Sequence, residues 1–114
     1  MEFYYHDVER DVLILAADGG IDAYNTEQFL GDLGKVVEAG VTKLVVDCRQ
    51  VLSISSMGVA ALVLVHKRLA ERGGHVKLAA VQSRVFRILQ ITRLNTVFQI
   101  YPTVDAALQA FRDA

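Results

Sequence analysis

The run Lys43-Leu44-Val45-Val46-Asp47-Cys48 constrains this chain more than any other stretch. It is nearly continuous in apolar residues, whereas a strand with one wet face alternates apolar with polar. Near-continuity therefore asks for cover on both faces of a sheet, and helices crossing over parallel strands supply such cover. The preceding residues fit. FYYHDV and VLILAAD read as two short strands joined by a hairpin turn at Glu9-Arg10-Asp11, with Asp11 to Ala17 as the core strand. Gly19-Gly20 breaks the pattern. Asn25 is a good N-cap and Gln28, three residues on, echoes a capping box. Phe29, Leu33, Val36 and Val37 follow at helical spacing, and Gly40 ends that helix.

Past Cys48 comes QVLSISSMGVAALVLV, residues 50–65. A strand-like run ends, a serine cluster intervenes and a helix-like run begins. HKRLAER is the cationic end of that helix, suited to the negative end of its dipole, and Gly73-Gly74 stops it. HVKLAAV, His75 to Val81, reads as another buried strand. Ser83 is placed to cap a third helix carrying Val85, Ile88 and Leu89. Phe98 to Tyr101 reads as a last short strand. Thr103 and Asp105 open a final amphipathic helix with Val104, Ala107, Leu108 and Phe111. The order is ββαβαβαβα. It predicts one α/β domain over residues 1–114, with a mixed, largely parallel sheet, about four helices and right-handed crossovers. In such sheets functional residues gather beyond the C-terminal ends of the strands, which is where the serines after strand 43–48 fall.

Composition narrows the function classes. A chain of 114 residues, 53% hydrophobic and 22% charged, suits one compact domain. The longest apolar run, Val59 to Val65, falls far short of the ~20 residues of a membrane span. The N-terminus is acidic and lacks the layout of a secretion signal. The single cysteine, Cys48, permits no internal disulfide, fits a reducing cytoplasm and reads as a small buried apolar residue. No phosphate-cradling glycine loop is present, and Ser56 lacks the glycines of a nucleophile elbow. His6, His66 and His75 are scattered, with no metal-ligand spacing. A triad of Ser56, a histidine and Asp22 or Asp47 can be written on paper, but nothing in the spacing supports it. No cofactor, metal or catalytic activity is expected.

The net charge of −1 conceals an asymmetry. Residues 1–50 carry 10 acidic and 4 basic side chains, while residues 51–100 carry 1 acidic and 7 basic. Two oppositely charged faces that keep the protein soluble account for this, and so does a basic docking surface for an acidic protein partner. No aromatic residues interleave with the basic ones, so nucleic acid is not the expected partner.

Ser55 and Ser56 admit two readings. Ser55 as N-cap would accept a hydrogen bond from a free N–H of the first turn. Ser56 would then occupy the first helical position, beside the positive end of the dipole, where a phosphate is electrostatically favoured. Gly58 would leave bare backbone for a close approach, with Met57 as an adaptable apolar contact.

Three stretches carry a family resemblance across essentially the whole chain. Gly19-Gly20-Ile21-Asp22 resembles the G-x-L/I-D before the first helix of STAS domains, in particular the bacterial anti-sigma-factor antagonists. Leu44-Val45-Val46-Asp47-Cys48 resembles their central strand. Ile54-Ser55-Ser56-Met57-Gly58-Val59 resembles their phosphorylation loop, commonly D-S-S/T-G-L or I-S-S-A-G-L. The resemblance implies that Ser56 accepts phosphate from a partner serine kinase. It also implies that the dephosphorylated form binds an anti-sigma factor (itself often the kinase) and frees a sigma factor, and that a serine phosphatase restores the binding form. Asp22, Ser53, Ser55, Ser56, Met57 and Gly58 would form the partner surface. Two positions depart from the pattern. Ser55 stands where many members have Asp, and Met57 where many have Ser or Thr. Ser55 can cap a helix but cannot supply a carboxylate's charge, and it is an alternative acceptor. The departures leave room for an unphosphorylated scaffold subunit of a stress-sensing or lipid-transport assembly, and for a homodimer.

Overall fold

The computed structural model describes residues 3–8, 12–21 and 26–112. In chain order these form β1 Phe3–Val8, β2 Val12–Ile21, α1 Thr26–Glu38, β3 Lys43–Ile54, α2 Ser56–Glu71, β4 His75–Ala79, α3 Ser83–Ile91, a 3-10 turn Leu94–Thr96, β5 Gln99–Tyr101 and α4 Val104–Arg112. The spatial order of the sheet is β1-β2-β3-β4-β5. β1 pairs antiparallel with β2, and β2 to β5 run parallel. This is the order expected from the sequence. The proposed turn at Glu9-Arg10-Asp11 and the Asn25 cap lie outside the described residues.

Because each parallel strand lies beside its predecessor, right-handed crossovers all return over the same side of the sheet. Accordingly α1, α2 and α3 share one face. There Leu15, Ala17, Leu44, Val46, Cys48, Val76 and Leu78 of the strands meet Phe29, Leu33, Leu62, Val65, Leu69, Val85 and Leu89 of the helices. On the other face Val12, Ile14, Val45 and Ala79 are covered by Ala107 and Phe111 of α4. Alternate residues of Leu44 to Cys48 thus point into two separate cores, which is why that run cannot alternate with polar residues. Lys77 of β4 lies on the α4 face and is only 5% exposed. Its ammonium donates to Gln99 Oε1 and to the Tyr101 hydroxyl at 3.4 Å, and sits 4.6 Å from the centre of the Phe111 ring.

Two strands outrun their expected ends. β2 continues through Gly19-Gly20 to Ile21, and β3 continues past Cys48 to Ile54. Their pairing steps from Ala16–Asp47 to Asp18–Gln50, then from Gly19–Val51 to Gly20–Ser53, so β3 takes one extra residue at each step. These are two bulges, and they change the burial period. Val51 and Ile54 are buried, while the pairs Arg49-Gln50 and Leu52-Ser53 between buried positions are exposed. The glycines therefore do not break β2. Gly19, with φ of +94°, bends it between the two register shifts.

Smaller corrections follow. β4 stops at Ala79 instead of Val81, where Ala80 takes a left-handed conformation with φ of +56°. The N-cap of α3 is Gln82 instead of Ser83, and no side chain bonds that cap. The Gln82 side chain instead donates to the Arg49 carbonyl at 2.8 Å, tying the start of α3 to β3. β5 begins at Gln99, one residue later than expected. Thr103 does cap α4, accepting from the Ala106 N–H at 3.0 Å.

The stop between α2 and β4 is tight. The Gly74 N–H donates to the Leu69 carbonyl at 2.7 Å, and a Cβ at Gly74 would lie 2.2 Å from the Thr42 carbonyl oxygen. That neighbour is backbone and cannot rotate away. Gly74→Ala is therefore expected to cost ~2 kcal/mol or more, read as a fall in urea midpoint. Val46, 1% exposed at the centre of the larger core, is the sharper probe. Val46→Asp places an unpaired carboxylate there and is expected to abolish the cooperative thermal transition.

Candidate functional site

The bulged end of β3 delivers the chain to α2 at the C-terminal edge of the sheet. Ser55 is the N-cap, with φ −83° and ψ 168°, and its hydroxyl accepts from the Gly58 N–H at 3.2 Å. Its carbonyl accepts from the Val59 N–H at 3.0 Å. Ser56 is the first helical residue and is exposed, and Met57 beside it is 53% exposed. No acidic residue stands in the first turn of α2, so its free N–H groups and dipole have no carboxylate beside them within the helix. Ser53 lies inside β3, exposed and paired with Gly20. Gly58 is buried. The expectation that it offers bare backbone to a partner is thus corrected: its backbone faces inward, and its N–H holds the cap. Asp22 lies outside the described residues, although Ile21 before it pairs with Ile54, the residue before Ser55.

Exposed apolar residues stand on both sides of the serine in the chain. Leu52 is 58% exposed, and along α2 the outward stripe begins Met57, Ala60, Leu64. Leu52 escaped the sequence reading because a strand run of Val51-Leu52 gave no reason to turn one inward and the other out. The bulge does so.

Three groups of the kind that acid–base or nucleophilic chemistry uses, Asp47, Cys48 and His66, are not exposed. Asp47, 6% exposed, accepts from the Arg49 N–H at 3.0 Å and from its guanidinium at 3.3 Å. The Cys48 thiol donates to the Val46 carbonyl at 3.6 Å. Its pKa is pushed up to about 12, first by burial and then by the charge of Asp47, with a backbone hydrogen bond from Ala79 opposing. That is the opposite of an activated cysteine. His66 packs edge-on against Phe98, ring centres 5.4 Å apart, and its Nδ1 is buried without a hydrogen-bond partner. Among the described residues no group of His, Cys, Asp and Glu could hold a metal ion, and no helix is long and apolar enough to cross a membrane. At the sheet edge the structure displays a hydroxyl at a helix N-terminus, between exposed Leu52 and Met57 in the chain.

Comparison with known proteins places the chain in a family. The STAS domain model matches residues 6–107, and the chain belongs to the STAS domain family. It is 28% identical over 103 residues to a Bordetella bronchiseptica protein named as the anti-sigma factor antagonist BtrV, covering 90% of this chain and 89% of that one. It is 31% identical over 108 residues to a Thermotoga neapolitana protein named as an anti-sigma factor antagonist, covering 94% and 95%. The crystal structure of the Thermotoga maritima anti-sigma factor antagonist tm1081 superposes with a TM-score of 0.91 at 27% identity, over 96% of this chain and 94% of that one. SpoIIAA in its unphosphorylated form, at 16% identity and a TM-score of 0.77, shares the fold over 99% of this chain and 100% of its own.

Measurements on two residues test the site's local physics. Ser55→Ala removes the cap and is expected to cost ~1 kcal/mol of stability by urea titration, with helical content kept. For Cys48, the folded thiol titrates above the unfolded one. Its contribution is therefore intact below about pH 9 and is lost between pH 9 and 12, where the unfolded chain releases a proton that the folded chain keeps. The expected slope is up to ~1.4 kcal/mol per pH unit, and Cys48→Ala should flatten it. Iodoacetamide at pH 9 should label Cys48 in urea and spare it in the native protein.

Proposed function

We propose that this protein is a phospho-switched anti-sigma-factor antagonist, with Ser56 as the acceptor in preference to Ser55. One observation carries the reading: the Ser55 hydroxyl is engaged with the Gly58 N–H, while Ser56 is exposed beside it at the first position of α2. The dephosphorylated chain binds an anti-sigma factor that is also its serine kinase, and so releases a sigma factor. A serine phosphatase resets it. The chain contributes no catalysis and works in the cytoplasm with these partners. SpoIIAA, a distant structural neighbour, is known in both unphosphorylated and phosphorylated forms, which supports a switch of this kind on this fold.

The physics supports the direction of the switch. Phosphate adds roughly −1.5 to −2 charges beside N–H groups that welcome an anion, so the fold tolerates it. The same charge sits next to exposed Met57, where a partner must exclude water. In this reading the partner surface comprises Ser53 and Met57, both exposed on either side of the acceptor in the chain, together with Ser55, Gly58 and Asp22.

Titration calorimetry against the cognate anti-sigma factor tests this. Ser56→Ala is expected to bind like wild type. Ser56→Asp is expected to keep its melting temperature and lose ~2–5 kcal/mol of binding. Asp22→Ala is expected to weaken binding without lowering the melt. Equal affinity for wild type and Ser56→Asp would overturn the switch in favour of a scaffold subunit. Phosphate found on Ser55 alone, by mass spectrometry of protein from its native source, would overturn the choice of acceptor.

A further inference from the structure

Near the serine loop, an open hollow lies between the bulged end of β3 and the start of α3. Leu52, Gln82, Ser83 and Arg84 line it. Its two active walls are an uncovered aliphatic chain and an uncompensated cation. Leu52 is 58% exposed, more than Met57 beside the acceptor serine. Arg84 is exposed, and among the described residues no carboxylate pairs with it, the single ion pair there being Arg49 with Asp47. The surroundings reinforce the sign. α3 has no acidic residue in its first turn, Arg87 is exposed one turn on, and residues 51–100 carry 7 basic side chains against 1 acidic. The hollow is also held in shape. The Gln82 side chain spans from the head of α3 to the Arg49 carbonyl of β3 at 2.8 Å, so the two walls are pinned to each other.

We propose that this hollow is a docking site for an acidic segment of a protein partner, with an apolar side chain against Leu52 and a carboxylate on Arg84. Charge complementarity selects the occupant. A second copy's first half is acidic overall, but a purely acidic face leaves Leu52 wet, and a purely apolar face leaves Arg84 unpaired in a desolvated contact. A short segment that mixes Glu or Asp with Leu satisfies both walls at once. The acceptor serine is not among the residues that line the hollow. The hollow adds a contact that reads the partner's sequence, whereas Ser56 reads its own phosphorylation state. It rests on the proposed function only in taking the anti-sigma factor as the natural source of the segment.

Two experiments separate the hollow from the switch. In the first, the 15N-labelled chain is titrated with a synthetic Glu-Leu-Asp-Glu-Leu peptide, and amide shifts are expected at Leu52, Ser83 and Arg84. They should vanish in Arg84→Glu and weaken as salt is raised. Shifts confined elsewhere, no shifts, or the same shifts from oligo-dT would overturn the proposal. In the second, the anti-sigma factor is titrated into Arg84→Glu, Leu52→Ser and Ser56→Asp. Arg84→Glu and Leu52→Ser are each expected to bind about tenfold more weakly or worse, with unchanged melts, since both side chains are exposed. Wild-type affinity in both, with Ser56→Asp impaired, would remove the hollow and leave the switch. Impairment in both, with Ser56→Asp unaffected, would remove the switch and leave the hollow.

Discussion

β3 is covered on both faces, and most of the molecule is arranged to make that so. Val46 and its alternates face the three crossover helices, while Val45 faces α4. An α/β sheet whose strands lie in chain order sends every crossover to one side. The other side then depends on whatever follows the last strand. Here that is α4, a short helix anchored by Ala107 and Phe111. Its cover must extend over Lys77, whose side-chain nitrogen meets a carboxamide, a hydroxyl and an aromatic face beneath it. The C-terminal helix is therefore part of the central strand's solvation and not an appendage.

The same strand generates the site. For its first half β3 is an ordinary member of the sheet, fully buried from Leu44 to Cys48. Two bulges then rotate its remaining residues, so that one residue in three faces the core. This twist brings Leu52 and Ser53 outward while Ile54 still anchors the strand end. The chain enters α2 through a capped turn with its serines sorted by role, one hydroxyl turned to backbone and the next to solvent.

The order of elements, both cores and the sorting of the two serines were legible in the residues, because each follows from local periodicity or local capping chemistry. KLVVDC had to be a doubly covered strand, and a serine before an apolar helix had to contend for the cap. The bulges were not legible. A bulge depends on how two strands register, and Gly19-Gly20 reads as a break when seen without its partner. Lys77 was hidden for a related reason: its burial is set by Gln99, Tyr101 and Phe111, more than twenty residues downstream. Gly58 was misread because a glycine beside an exposed serine suggests exposed backbone, while the first turn of α2 faces that position inward. Arg84 and Leu52 become neighbours only when α3 packs on β3, so no window of sequence holds both.

These features bear on how a switch on this scaffold would work. The α2 N-terminus is fixed by the Ser55–Gly58 bond below and by Ile54 and Val59 in the core. A phosphate on Ser56 meets N–H groups already oriented toward an anion, so modification does not require the helix to unwind or move. A charge added to a rigid edge changes which partners can desolvate it while leaving the fold's equilibrium nearly untouched. Under the proposed switch, control would reside in the interface, as a difference in affinity between two states of one conformation. That division suits a small domain whose sheet is packed on both faces, because a charge at its edge need not disturb either core.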